Sequence, residues 1–261
     1  PRLIYCEISG FGATGPMKKL PAFEPVAQAF SGILSINGNP DAPPARLGVS
    51  VVDMGTAMWT VIGALSALHQ REISGKGGVV NTSLLETALA WAGPHIAGFL
   101  NEGRTPKRLG TAHPHLVPYQ TFEAADGSLL IAAGNDRLFE RLCGALGVPE
   151  WKTDPRFVGN RARIQNRVEL IKLISEKVAT NNRQFWIGTF TAAGVPCAAV
   201  NTIPEVLQEP QIAALGILQK VADTGVTLTG LPLSFDGARP QIRKLGPRLG
   251  QDNERRLNNR T

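Results

Sequence analysis

Two carboxylates and a pair of histidines are the residues of this 261-residue chain whose types and settings suit chemistry. Asp53 stands between Gly48–Val52, which reads as a short strand, and a helix expected from Met54. Such an aspartate can simply N-cap the helix, its oxygens accepting backbone N–H bonds. It can equally be a nucleophile. The carboxyl end of a strand is where α/β sheets open their ligand crevice, a helix start favours anions, and carboxylate attack on a thioester gives an acyl anhydride. Pattern alone leaves both readings open. Glu24 opens the helically spaced stretch Pro25–Leu34, where an early acid also serves the helix dipole. His113 and His115 flank Pro114. A metal site needs further ligands; no third ligand is apparent and no His-Glu-x-x-His occurs, so no metal is expected.

Other candidate motifs are incomplete. Ser74-Gly75-Lys76-Gly77 resembles a phosphate loop, but Gln70 stands where the loop requires glycine and no Ser or Thr follows Lys76. Gly10-Phe-Gly12-Ala-Thr-Gly15 has dinucleotide-loop spacing, but Pro16 and Lys18-Lys19 follow it instead of a clean helix. Cys143 lies among Leu138, Leu142 and Leu146 at helical spacing, which predicts core packing.

The elements expected to position these residues alternate. Arg2–Ser9 reads as a buried strand and Pro25–Leu34 as a helix. Met54–Arg71 is a long helix with Met54, Met58, Val61, Ile62, Leu65 and Leu68 on its apolar face, closed at Gly75. Val79–Asn81 is a strand, and Leu84–Leu100 is a helix apolar all round and so buried. This order predicts a parallel α/β region. After a loop over 101–118, Asp126-Gly127 signals a hairpin between Tyr119–Glu123 and Leu129–Ala133. Helices follow near 136–146, 161–179 and 183–193, capped by Asp136, Asn182 and Gly194, then a strand at Pro196–Val200, a short helix after Thr202, and a hairpin turning at Asp223-Thr-Gly225. Residues 110–200 are read as a smaller domain, and Glu254–Thr261 as disordered.

Composition narrows the classes. Hydrophobic residues make up 43% and charged residues 18%, which is globular rather than disordered. Uninterrupted apolar runs fall far short of the ~18 residues of a membrane span, so no membrane partner is expected. The net charge of +6 is spread along the chain without basic runs or interleaved aromatics. Nucleic acid is therefore not expected; a phosphate-bearing small molecule explains the surplus as well. Three scattered cysteines argue for a reducing compartment. The chain opens Pro1-Arg2 with no signal pattern and already inside a strand, which suggests that the natural N-terminus lies upstream.

Taken together, several segments resemble the class III CoA-transferases, a family that also holds 2-methylacyl-CoA racemases. They are Ile8–Pro16, Phe23-Glu-Pro-Val-Ala-Gln28, Asp53-Met-Gly with its long helix, His69–Gly77, Gly110-Thr-Ala-His-Pro-His-Leu-Val-Pro-Tyr119, Gly134-Asn-Asp136 and Leu249-Gly-Gln251. Their order and spacing carry the resemblance over nearly the whole chain. The Gly110–Tyr119 stretch is most similar to the branch that handles short dicarboxylates such as succinate and glutarate.

The resemblance implies a Rossmann-like large domain (1–109, without the family's N-terminal portion), a small α+β domain (110–200) and a segment returning to the large domain (201–261), in an interlocked homodimer. It places Asp53 on the family's nucleophile and Glu24 on an acid beside the active site. It implies substrate or CoA contacts at Gly110, His113, His115, Asn135 and Lys76. The shielding role of the loop near 110–115 is in question, because the family's run of glycines is missing there. The partners it implies are an acyl-CoA and a small carboxylic acid, with CoA as substrate and no permanent cofactor. It also implies a cytoplasmic setting in a bacterium and the mitochondrial matrix in a eukaryote. Racemisation is disfavoured: Phe23-Glu24 and Asn135 stand where that branch carries its two proton carriers. A non-catalytic fragment that only binds a partner is the other alternative.

Overall fold

The computed structural model describes residues 1–251 and 253; the tail Glu254–Thr261, expected to be disordered, lies outside the described residues. The chain divides between Ala198 and Ala199 into two compact units.

In the first unit, β1 (Ile4–Ser9) and β2 (Gly78–Ser83) pair in parallel, with Ile4 opposite Gly78 and Ser9 opposite Ser83. Parallel strands need a long crossover. It holds α1 (Glu24–Phe30), α2 (Ile33–Ile36) and α3 (Val51–Ser74). The parallel α/β expectation is met. The helix expected over Pro25–Leu34 is broken at Gly32, whose φ of 89° no right-handed helix accepts. β1, expected buried, has its four central residues exposed.

The strand expected over Gly48–Val52 is absent: the helix starts at Val51, so Asp53 is the third residue of α3 rather than its cap. The apolar stripe of α3 has the expected period, but it faces outward. Met54, Met58, Val61, Ile62 and Leu65 are exposed, while the buried contacts are made by Val52, Gly55 and Thr56. The reason is close approach. A Cβ on Gly55 would stand 2.6 Å from the Trp91 ring, and one on Gly63 would stand 2.5 Å from Val80 Cγ1. The Thr56 hydroxyl lies 2.8 Å from that of Thr87, and Thr60 lies 2.7 Å from Thr82. Small residues let α3 lie directly on its neighbours, so its large side chains point away. An 18-residue stretch within α3 is apolar enough on average to cross a membrane by length and composition, although no uninterrupted run in it is. As predicted, it closes at Gly75, with φ 73°.

The single helix expected over Leu84–Leu100 is two: α4 (Leu84–Trp91), capped by Ser83, and α5 (Gly93–Glu102). Pro94 in the first turn of α5 lacks the N–H that would continue α4. Leu89, Trp91, Phe99 and Leu100 are exposed, so these helices are not buried all round.

Residues 117–197 build a separate apolar cluster. The hairpin falls where predicted: β3 (Tyr119–Ala124) and β4 (Gly127–Ala132) pair antiparallel about Ala125-Asp126. Alternate residues Leu129 and Ile131 of β4 are fully buried. Against them lie residues of α6 (Asp136–Ala145), α8 (Arg167–Val178) and α9 (Arg183–Ala192). The short α7 (Asn160–Gln165) precedes α8; the expected continuous helix breaks at Asn166. α9 is capped by Asn182, as expected. β5 (Cys197–Ala199) lies next to β4.

The second unit holds α10 (Ile203–Val206), started by a Thr202–Glu205 capping box, α11 (Pro210–Leu215), and the hairpin β6 (Leu218–Lys220) and β7 (Thr227–Thr229). The turn at Asp223 and Gly225 falls where the sequence placed it, both with positive φ. Buried Gln219 accepts from the Ile242 N–H and donates to the Pro240 carbonyl, which ties the following chain to this hairpin.

Candidate active site

Asp53 is exposed in the first turn of α3, where the helix dipole favours a negative charge. Glu24 is 3% exposed. Its Oε1 accepts from Gln28 Nε2 at 2.6 Å and from the Val52 N–H at 3.4 Å. Val52 is the residue before Asp53, and its N–H is among those a helix start leaves unpaired. Ser50 makes no side-chain cap, so the start of α3 is capped from another element by Glu24. Buried Gln28 turns its Oε1 to the Leu47 N–H at 3.2 Å and so fixes the loop entering α3. Glu24 Oε2 is buried with no hydrogen-bond partner among the described residues. Glu24 and Asp53, 29 positions apart, are thus brought to one helix start, one held and the other without a hydrogen bond or ion pair among the described residues.

His113 and His115 form a second cluster. The His113 ring stacks on Tyr119 at 5.3 Å, and its Nδ1 accepts the His115 N–H at 3.0 Å. Burial, then the nearby His115 and Arg167, hold the His113 pKa below the usual imidazole value. His115 contacts the Arg104 guanidinium. The loop is gripped from α7 and the start of α8. Asn160 donates to the His115 carbonyl at 2.7 Å, Arg163 to the Val117 carbonyl at 2.7 Å, and Arg167 to the His113 and Pro114 carbonyls at 2.9 and 3.0 Å. Sequence reasoning missed these three, although their spacing of three and four residues was a usable signal for one helix face.

A cavity of about 580 Å³ opens beside this loop and is lined by His95, Arg104, Lys107, Gly110, His113 and His115 among others. Gly110, at φ 61°, donates its N–H to the Gly38 carbonyl at 3.0 Å. The predicted residues Gly110, His113 and His115 are therefore brought together. Asn135 and Lys76 do not line this cavity. Asn135 Oδ1 accepts the Leu138 N–H at 2.9 Å and caps α6, the role the sequence gave to Asp136. Asn135→Ala is expected to cost about 1 kcal/mol in thermal unfolding; an unchanged melting temperature would remove the cap's importance. Lys76 is exposed beyond the far end of α3, about 30 Å from Asp53 at 1.5 Å per residue. Cys143 is buried, and burial pushes its thiol up to about 12, so core packing is its role and nucleophilic attack is not. Among the described residues no group of three or more His, Cys, Asp or Glu is placed to hold a metal ion.

The chain belongs to CoA-transferase family III, whose sequence model matches residues 1–253. It is 36% identical over 253 residues to an acetyl-CoA:oxalate CoA-transferase of Acetobacter aceti, and 34% over 254 residues to a succinate–glutarate CoA-transferase of Agrobacterium fabrum. Each alignment covers 96% of this chain and 64% of the relative. A CaiB/BaiF family protein from Brucella suis superposes with a TM-score of 0.85 at 34% identity, over 99% of this chain and 68% of that one. The chain thus spans a little under two thirds of the length of these curated relatives.

Proposed function

We propose that this chain carries the catalytic carboxylate of an enzyme that moves CoA from an acyl-CoA to a short dicarboxylic acid. The observation that carries the reading is the pairing at the start of α3: Glu24 occupies the Val52 N–H, and the Asp53 carboxylate is exposed without a hydrogen bond or ion pair among the described residues. Family membership supports it. The acid class is supported by the relatives' names, which pair CoA with oxalate, glutarate, D-citramalate and mesaconate. The domain limits 1–109, 110–200 and 201–261 and an interlocked homodimer belong to the same reading. Such a partner would cover the apolar outer face of α3.

The chemistry runs in balanced steps. An Asp53 oxygen attacks the donor thioester carbonyl; the C–S bond breaks, giving an aspartyl anhydride and CoA thiolate. The thiolate attacks the aspartyl carbonyl and expels the donor acid as its carboxylate, leaving an aspartyl-CoA thioester. The acceptor carboxylate attacks that thioester, and a second anhydride forms with loss of thiolate. The thiolate then takes the acceptor acyl group and frees Asp53. Unused N–H groups at the start of α3 would stabilise the developing oxyanion. Glu24, by holding Val52, fixes where Asp53 points.

The test is trapping. Without an acceptor acid the sequence stops once CoA has joined Asp53, so donor acyl-CoA alone should leave an adduct that hydroxylamine or borohydride traps on the peptide containing Gly48–Met58. Label on Glu24 instead would reverse the two roles. Label on neither, in an active preparation, would remove the covalent route.

A further inference from the structure

The cavity beside the histidine loop includes Gly110, His113 and His115, but Arg104 and Lys107 in its wall have no role yet. Five of its lining side chains are basic in type: His95, Arg104, Lys107, His113 and His115; none is acidic. Glu102 pairs with one of them: its Oε2 lies 3.1 Å from Arg104 Nη2, with both side chains exposed. The rest of the wall includes Ile36, Pro94, Leu109 and Ala112, so cationic groups sit beside an apolar surface.

These groups are set in place by the fold. Arg104 lies against α5, where a Cβ on Gly98 would come 2.8 Å from Nη2 and displace the guanidinium from its present place. Arg108 donates to the Asn39, Pro40 and Ala42 carbonyls and pins the chain carrying Arg104 and Lys107 to the loop after α2. The adjoining stretch of wall, His113–His115, is held by Asn160 and Arg167. The loop from Ile36, which lines the cavity, runs on to Leu47, which Gln28 holds beside Glu24. Preset cations cost little reorganisation when an anion enters.

We propose that this cavity receives the acid substrate, with Arg104 and Lys107 binding the carboxylate that is not exchanged and the apolar wall taking the methylene chain. This rests on the CoA-transfer reading. A guanidinium suits a planar carboxylate through paired N–H groups, and an apolar wall suits methylenes rather than a nucleotide phosphate.

The test uses the protein expressed over its natural length, with glutarate, butyrate and adenosine 3′,5′-bisphosphate as probes in equilibrium titrations. Glutarate should bind more tightly than butyrate. Arg104→Gln and Lys107→Gln should each weaken glutarate about tenfold or more and raise its KM with little change in kcat, while Lys172→Gln leaves both unchanged. All of these residues are exposed, so the variants should fold; Arg104→Lys, which keeps charge without the fork, should fall between. Unchanged glutarate affinity in Arg104→Gln and Lys107→Gln would overturn the site. So would displacement of glutarate by the bisphosphate, which would make the cavity a phosphate site. Trapping of donor acyl-CoA on Asp53 separates the two readings. A normal adduct without glutarate binding sinks the cavity alone, and glutarate binding lost in the variants without any wild-type adduct sinks the transfer chemistry alone.

Discussion

Asp53→Asn is expected to abolish CoA transfer while leaving the melting temperature nearly unchanged. Asparagine keeps the shape and one acceptor oxygen of aspartate, but its amide is not a nucleophile toward a thioester. The fold asks little of the carboxylate. It is exposed, it makes no hydrogen bond or ion pair among the described residues, and the first turn of α3 is already capped by Glu24. What remains is its interaction with the helix dipole, about 0.3–1 kcal/mol at an exposed site. Loss of the attacking group, by contrast, should lower kcat by about three orders of magnitude or more. The measurement is steady-state exchange between an acyl-CoA and a dicarboxylate, with thermal unfolding of the same sample. Turnover of wild-type order in Asp53→Asn would end the nucleophile assignment. A large drop in melting temperature with it would make Asp53 a structural cap instead. Asp53→Glu probes position: one added methylene displaces the carboxylate from the place that Val52 and Glu24 set for it, so activity should fall steeply there too.

What the sequence could reveal follows the range of the interactions involved. Gly75, Asn182, the Asp126-Gly127 turn and the Asp223–Gly225 turn act through bonds a few residues long, and each stands where it was predicted. The start of α3 was misread because its cap is not local. Glu24 reaches Val52 across 28 positions, and without that partner the run Val49-Ser-Val-Val52 looks like a strand, since β-branched residues favour one. The apolar stripe of α3 was found with the right period, but nothing in it named what lies against it. Periodicity marks a face but does not say whether the chain in hand covers it, and Gly55 and Gly63 claimed the near side. The candidate site divides the same way. Asp53, Glu24 and the His113–His115 pair were legible from residue type and motif. Arg104, Lys107 and the grip of Asn160, Arg163 and Arg167 were not, because the contacts of that grip span 43 to 54 positions.

Arg163→Ala should be among the most destabilising single changes in residues 117–197. Arg163 is 1% exposed, yet it is a cation. Burial of a charge is costly unless its donors are used, and here they are. Nε donates to the Val117 carbonyl at 2.7 Å, Nη1 to the Phe157 carbonyl at 3.0 Å, and Nη2 to Asp136 Oδ1 at 2.7 Å. The guanidinium also stands 4.5 Å over the Phe139 ring. Truncation would leave the Val117 carbonyl without its donor, the Phe157 carbonyl with the Gly159 N–H alone, and a void beside fully buried Phe157. Together these should cost about 3–5 kcal/mol, a fall in melting temperature of about 10 °C for a protein of this size. Asp136 is a lesser matter. Its side chain is 74% exposed, so water replaces the lost partner and Asp136→Asn should cost less than about 1 kcal/mol. Comparison of the two variants decides what Arg163 is for. If Asp136→Asn is as damaging as Arg163→Ala, the ion pair holds the module together; if only Arg163→Ala is damaging, the backbone carbonyls do. Arg163→Lys keeps the charge but not the fork, so it can serve only part of the three-way contact and should fall between them. Because Val117 ends the loop that carries His113 and His115, glutarate affinity should weaken in Arg163→Lys, measured well below its melting temperature, and hold in Asp136→Asn.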